Sequence, residues 1–276
     1  MNRREFLGGS IALPLAAFEP RWDLDGQQER RQTINGLHAK ACASLFSADG
    51  DWIGPATEGT GRVRFWHSMS LLESEATREQ ANAIIRKCFE DRGKLQSSFS
   101  HFEFCSAAQL LTKQKDKIAP DNRQALANLL HEALEHQSPI YFRGYNDNYP
   151  AMENLAAVLG GEELDDARAR QRGLEGLRHL LELFERRGLL SEYTSSTYTP
   201  VTQLCYADIA EYSRDSEAKR LALQIENRIW FDIAAHFHAP TNILAGPHSR
   251  AYNVDSVGHL HQVHMLLYQC LATGYG

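Results

Sequence analysis

Near its C-terminal end the chain runs Ala245-Gly-Pro-His-Ser-Arg-Ala-Tyr-Asn-Val-Asp255, and three of these residues are parts for proton transfer. Gly246-Pro247 stops helix propagation, because proline fixes φ and has no backbone N–H to donate. In an extended segment His248, Arg250 and Tyr252 alternate and therefore point to one side. A general base, a fixed cation and a phenol then face one space, the arrangement needed to remove a proton beside an anionic group. The plainer reading is a polar interhelical loop whose His and Arg satisfy helix-end carbonyls.

A second cluster lies in Tyr141-Phe-Arg-Gly-Tyr-Asn-Asp-Asn-Tyr-Pro150 and the residues after it. Asn146, Asp147, Asn148, Glu153 and Asn154 stand among Tyr141, Phe142, Tyr145 and Tyr149. Aromatic faces with amides and carboxylates suit a sugar ring, whose axial hydrogens stack while its hydroxyls bond. The same Asn and Asp residues also suit turns and the cap of a helix beginning at Ala151. Ser191-Glu-Tyr-Thr-Ser-Ser-Thr-Tyr-Thr-Pro200 repeats the composition, with Glu192, Tyr193, Thr197 and Tyr198. Asp147 and Glu192 make a hydrolase acid/base pair if they face each other across a gap.

Other chemistries are poorly supplied. His131-Glu-Ala-Leu-Glu-His136 has its histidines at i, i+5, which places them roughly 140° apart on a helix, whereas a zinc-protease pair needs i, i+4. His236, His238, His248, His261 and His264 lack a cysteine or carboxylate at a metal-binding spacing, so no metal and no cofactor are expected. His236 and His238 instead suit a helix C-terminus. There is no G-x-S-x-G and no cysteine in a nucleophile signature. The five cysteines are scattered without a C-x-x-C, which suggests mainly buried thiols with at most one or two bridges.

The elements that must position these groups are helices. Apart from one helix around Gln32–Phe46, residues 21–65 read as a polar, loop-rich segment. Helices follow over 78–89, 102–115, 120–136 and 152–159, the last ended by Gly160-Gly161. The next runs over 165–187 with Leu174, Leu177, Leu181 and Phe184 on one face. Another, entered at Pro200, carries Leu204, Ile209 and Tyr212. Leu221, Ile225, Ile229 and Ile233 recur at fours along 215–236, and a last helix covers 255–272. The aromatic-rich loops 141–150, 191–200 and 239–254 alternate with plain turns at 160–164 and 213–216. That is the rhythm of stacked helical hairpins with functional loops at one end. The expected class is all-α, with an irregular bundle as the runner-up to a hairpin array.

Composition narrows the partners. With 276 residues the chain is long enough for a sizeable core, and its 43% apolar and 23% charged residues are ordinary for a globular protein. A formal charge of −6 gives no basic footprint, so nucleic acid is not an expected partner. Asn2-Arg-Arg-Glu-Phe-Leu7 followed by Leu7-Gly-Gly-Ser-Ile-Ala-Leu-Pro-Leu-Ala-Ala17 resembles a twin-arginine export signal. Residues 1–20 are accordingly set aside as a signal, with a periplasmic or secreted location and no membrane partner after cleavage expected.

The hairpin rhythm of residues 66–276, with Tyr145-Asn-Asp-Asn-Tyr-Pro-Ala-Met152, Glu192-Tyr-Thr-Ser-Ser-Thr-Tyr198 and Gly246-Pro-His-Ser-Arg-Ala-Tyr252, resembles the α/α-toroid carbohydrate-active proteins. These include alginate lyases, heparinase-like lyases and six-hairpin glycosidases. The same stretches also resemble an uncharacterised group of exported helical proteins, which implies no activity. The toroid resemblance implies a toroid or partial toroid acting on an acidic oligo- or polysaccharide. It implies Asn148 (or Asn146) neutralising a uronate carboxylate, His248 as base, Tyr252 as acid and Arg250 assisting. Tyr145, Asn146, Asp147, Glu192 and Tyr198 would then line the substrate. Fewer helices are expected than a full six-hairpin ring requires, and no His adjoins Asn146 or Asn148. The alternatives are a glycoside hydrolase using Asp147 and Glu192, or a glycan-binding or scaffold protein without catalysis.

Overall fold

The computed structural model describes residues 24–55, 61–95, 100–136, 142, 146–238, 243–250 and 262–270. These are helical almost throughout, so the protein is all-α. The helices are α1 (Leu24–Ala43), α2 (Gly61–Leu71), α3 (Arg78–Leu95), α4 (His101–Lys113) and α5 (Pro120–His136). They continue with α6 (Asn148–Leu155), α7 (Ala167–Arg187), α8 (Tyr198–Tyr212), α9 (Ser216–His236) and α10 (Gln262–Cys270). Helix α6 does not stop at its glycines. It passes through a π turn, Ala156–Gly160, into a last turn, Gly161–Glu163. A two-residue antiparallel ribbon, β1 (Phe237–His238) with β2 (Ile243–Leu244), follows α9.

Local chemistry explains several helix ends. Ser100 and Glu103 form a capping box at the start of α4. The Asp166 carboxylate accepts the Ala169 N–H at 3.0 Å to open α7. Gly188, at φ 87°, closes α7 in the left-handed conformation that costs glycine least. Asp215 caps α9 by accepting the N–H groups of Glu217 and Ala218 at 2.8 and 3.0 Å.

Helix α6 is the centre of the molecule. Except for Tyr149, every residue from Asn148 to Glu162 is buried, and α4, α5, α7 and α8 pack around it. A helix covered on all sides shows no amphipathic stripe. Gly160 and Gly161 serve close packing rather than termination. Both have ordinary right-handed backbones, and a Cβ on Gly160 would stand 2.7 Å from a Leu130 methyl. Gly173 of α7 likewise admits Val158 of the π turn, whose methyl would lie 2.5 Å from an added Cβ. The hairpin pairs α2–α3, α4–α5 and α8–α9 are present. Among the described residues α4 and α8 of these pairs pack directly on α6.

The N-terminal segment differs from its expected loop-rich character. Helix α1 begins at Leu24, and residues 61–71 already form α2. Residues 1–20, with the signal-like sequence, lie outside the described residues. No described helix is long and apolar enough to cross a membrane.

Candidate functional site

Of the residues singled out in the 141–154, 191–198 and 245–252 stretches, Asp147, Asn148, Glu192 and Arg250 meet at the N-terminal end of α6. Glu192 is their hub, 1% exposed. Its Oε2 accepts the backbone N–H groups of Asp147 and Asn148, each at 2.9 Å. The Asn148 amide donates to both carboxylate oxygens at 3.0 Å. Arg250 closes the set with Nη1 2.7 Å from Oε1. In return, the Glu192 N–H and the Ser191 hydroxyl donate to the Asp147 carboxylate at 2.9 and 3.1 Å. A buried carboxylate needs this many donors to offset its lost hydration.

The segment 243–250 docks on the loop 191–198 through main-chain groups. The peptide Gly246–Pro247 is cis. Thr194 donates its hydroxyl to the Pro247 carbonyl at 2.5 Å, and Ser249 donates its N–H to the Tyr193 carbonyl at 3.1 Å. His248 Nδ1 lies 2.9 Å from the Thr194 carbonyl. A carbonyl only accepts, so Nδ1 carries a proton, and in the neutral ring the lone pair is on Nε2. The Arg250 guanidinium also lies over the Tyr198 ring, 4.2 Å from its centroid.

The expected extended strand is not the form of this segment. Ser249 and Arg250 make a turn, and Arg250 adopts φ 51°. Thr194, its neighbour across the junction, has φ 47°. Non-glycine residues at positive φ cost about 1–3 kcal/mol each, so both loops must be held there by their surroundings. His248 and Arg250 come together because both bind the 191–198 loop, not because a strand alternates them.

Several expected roles change with this geometry. Asn148 is 0% exposed and spends its amide N–H groups on Glu192, so it positions that carboxylate rather than meeting a uronate. Asp147 and Glu192 do not face one another across an open gap, as a hydrolase pair must; both are buried, each accepting the other's backbone N–H. Burial pushes the Asp147 carboxyl above the usual range, against hydrogen bonds from Glu192 and Ser191 that pull it down. Asn146 takes the turn-making role, accepting the Tyr149 N–H at 3.2 Å. Glu153 and Asn154 are internal partners of Arg172 and Tyr206. Tyr145 and Tyr252 lie outside the described residues. His236 donates its Nδ1–H to the Asp232 carbonyl, 2.8 Å away, and so serves the α9 C-terminus as expected.

Cys42, Cys88, Cys105 and Cys205 are buried and not disulfide-bonded, as scattered cysteines suggest. A different cluster escaped the sequence reading: His38, Cys42 and His67, on α1 and α2. Its signal was the i, i+4 spacing of His38 and Cys42 within a stretch already read as helical.

Residues 141–273 match a family model described as a domain of unknown function (DUF8769), which spans just under half of the chain. The match takes in the whole cluster around Glu192 and leaves α1–α5 outside. No curated protein and no solved structure matches.

Proposed function

We propose that this is an exported protein acting on a uronic-acid-containing glycan, which it cleaves by β-elimination with His248 as the base. The observation that carries the reading is the fixed tautomer of His248 beside a stacked arginine on one short segment. With Nδ1 committed to Thr194, the Nε2 lone pair takes the C5 proton of the sugar. The electron pair forms the C4–C5 double bond, and the C4–oxygen bond breaks. Arg250, with a side chain 31% exposed, is reachable by the uronate carboxylate, whose neutralised charge makes the C5 proton more acidic. The leaving oxygen takes its proton from a phenol, either Tyr252 or Tyr198, whose ring lies beneath the guanidinium. Glu192, Asn148 and Asp147 position Arg250 without touching substrate.

Incubation of the purified protein with a panel of uronic-acid polysaccharides tests this. Ultraviolet absorbance rises as unsaturated ends form, and His248→Ala abolishes the rise while glycan binding falls only modestly. Flat absorbance across the panel, or full turnover by His248→Ala, would sink the lyase reading. A second reading, glycan binding without catalysis, is favoured by the way Asp147, Asn148 and Glu192 spend their polar groups on one another. It predicts binding that survives His248→Ala with no product in either protein.

A further inference from the structure

We propose that His38, Cys42 and His67 form a transition-metal site of the thiolate–imidazole class, best matched to Zn²⁺. It is independent of the glycan reading and lies on helices outside the family match. His38 and Cys42 project from the same face of α1, one turn apart. His67 comes from α2, which packs against α1. The Cys42 sulfur stands 2.9 Å from His67 Nδ1 and 3.6 Å from His38 Nε2. All three donor atoms lie within 4.8 Å of one another.

Those separations suit one ion. In a tetrahedral zinc site, with Zn–S about 2.3 Å and Zn–N about 2.0–2.1 Å, sulfur–nitrogen edges come to about 3.5 Å. The His38 edge already has that length, and the His67 edge must open by about half an ångström. The rings are held ready. His38 Nδ1 lies 2.7 Å from the Ser70 hydroxyl, which orients the imidazole and leaves Nε2 towards the sulfur. His67 lies parallel to the Trp52 ring, at an interplanar angle of 1° and 6.2 Å between centroids. It also meets Phe46 edge-on at 5.8 Å. Cys42 is 1% exposed, while His38 is open to solvent. The ion therefore has an apolar wall on one side and the solvent-facing His38 on the other, the side from which a water would complete four ligands.

A cysteine–histidine nucleophile is the competing use of the same pair, but the buried sulfur cannot be approached by a substrate carbonyl. Nor is the site one of the C-terminal histidine groups for which no metal was expected. Binding replaces the thiol proton: the S–H bond breaks, the sulfur–metal bond forms, and one proton leaves for each ion bound.

The test uses the full chain, freed of metal by a chelator and titrated with Co²⁺ as a coloured stand-in for zinc. One equivalent should give a near-ultraviolet thiolate-to-cobalt charge-transfer band with the strong visible bands of a tetrahedral ion. One equivalent of Zn²⁺ should remove both. Cys42→Ser should lose the charge-transfer band. His38→Ala, at an exposed position that leaves the fold intact by circular dichroism, should weaken binding ~10-fold or more. His131→Ala, an exposed histidine elsewhere, should bind as the wild type does. No band at one equivalent, a band that survives Cys42→Ser, or unchanged affinity in His38→Ala overturns the proposal.

Discussion

Arg250 and Glu192 form an ion pair with unequal exposure: the carboxylate is wholly enclosed, the guanidinium partly in solvent. Removing the cation strands a buried charge, which typically costs about 3–5 kcal/mol. Three N–H donors from Asp147 and Asn148 remain, so Arg250→Ala should cost roughly 2–4 kcal/mol in urea unfolding. Adding Glu192→Gln should return part of that loss; strictly additive losses would mean the pair is not coupled. Asp147 supplies a pH signature. Its folded carboxyl titrates above its ordinary 3.8 because of burial, so the native chain binds this proton before the unfolded chain does. As pH falls from neutrality through the folded value towards 3.8, wild-type stability should therefore gain on that of Asp147→Asn. A constant difference across that window would contradict the assignment. Residue types at the cluster were legible in the sequence, because clustered Asn, Asp, Glu, Tyr, His and Arg are unusual between helices. Their division of labour was not. Whether Asn148 meets a ligand or another side chain depends on Glu192, 44 residues away, and no local spacing encodes that bond.

Helices with one wet face were readable, and those without one were not. The stripe of Leu177 and Phe184, and the run Leu221, Ile225, Ile229 and Ile233, mark α7 and α9 and are buried as their periods require. Pro120 and the caps set boundaries to within a residue or two. Helix α6 was read too short, because complete burial removes periodicity and its glycines imitate a stop signal. Helix α2 was missed for a related reason: its polar Arg62, Arg64, His67, Ser68 and Ser70 interrupt any apolar stripe, and Ser68 is itself buried. The contact between α7 and the π turn yields a prediction for this scale. Gly173→Ala would drive a methyl against Val158, a stiff β-branched neighbour whose backbone N is also only 3.1 Å from the new atom. Overpacking of this kind costs about 1–3 kcal/mol. The urea midpoint should fall accordingly, and an unchanged midpoint would show that α7 can slide away from α6.

Across the molecule a single apolar core runs from Cys42 and Phe46 near α1 to Val263 and Leu267 in α10. Helix α10 packs against both α1 and α8, and the Val263 N–H donates to the Ser196 carbonyl at 3.1 Å. The all-α class followed from the sequence, but this closure did not, because nothing in a linear pattern says which distant helix covers which. Leu267→Ala should cost about 2–5 kcal/mol, as truncations of buried leucines do. It should also speed amide hydrogen exchange in α1 as well as α10. Protection of α1 that stays at its wild-type value would mean the two helices are not energetically joined.

That meeting of α10 with α1 has a consequence for the order in which the chain is made. On the ribosome α1 emerges more than two hundred residues before its covering helix. For all of that interval the apolar surface of α1 that α10 will cover is open to chaperones or to other nascent chains. Arg250 follows Glu192 by 58 residues, so the hub at the head of α6 stays short of its cation while that stretch is made. Contacts this distant in sequence are slow to form. A ribosome stalled just before α10 would therefore hold a chain whose other described helices are made but whose α1 still waits for its covering partner.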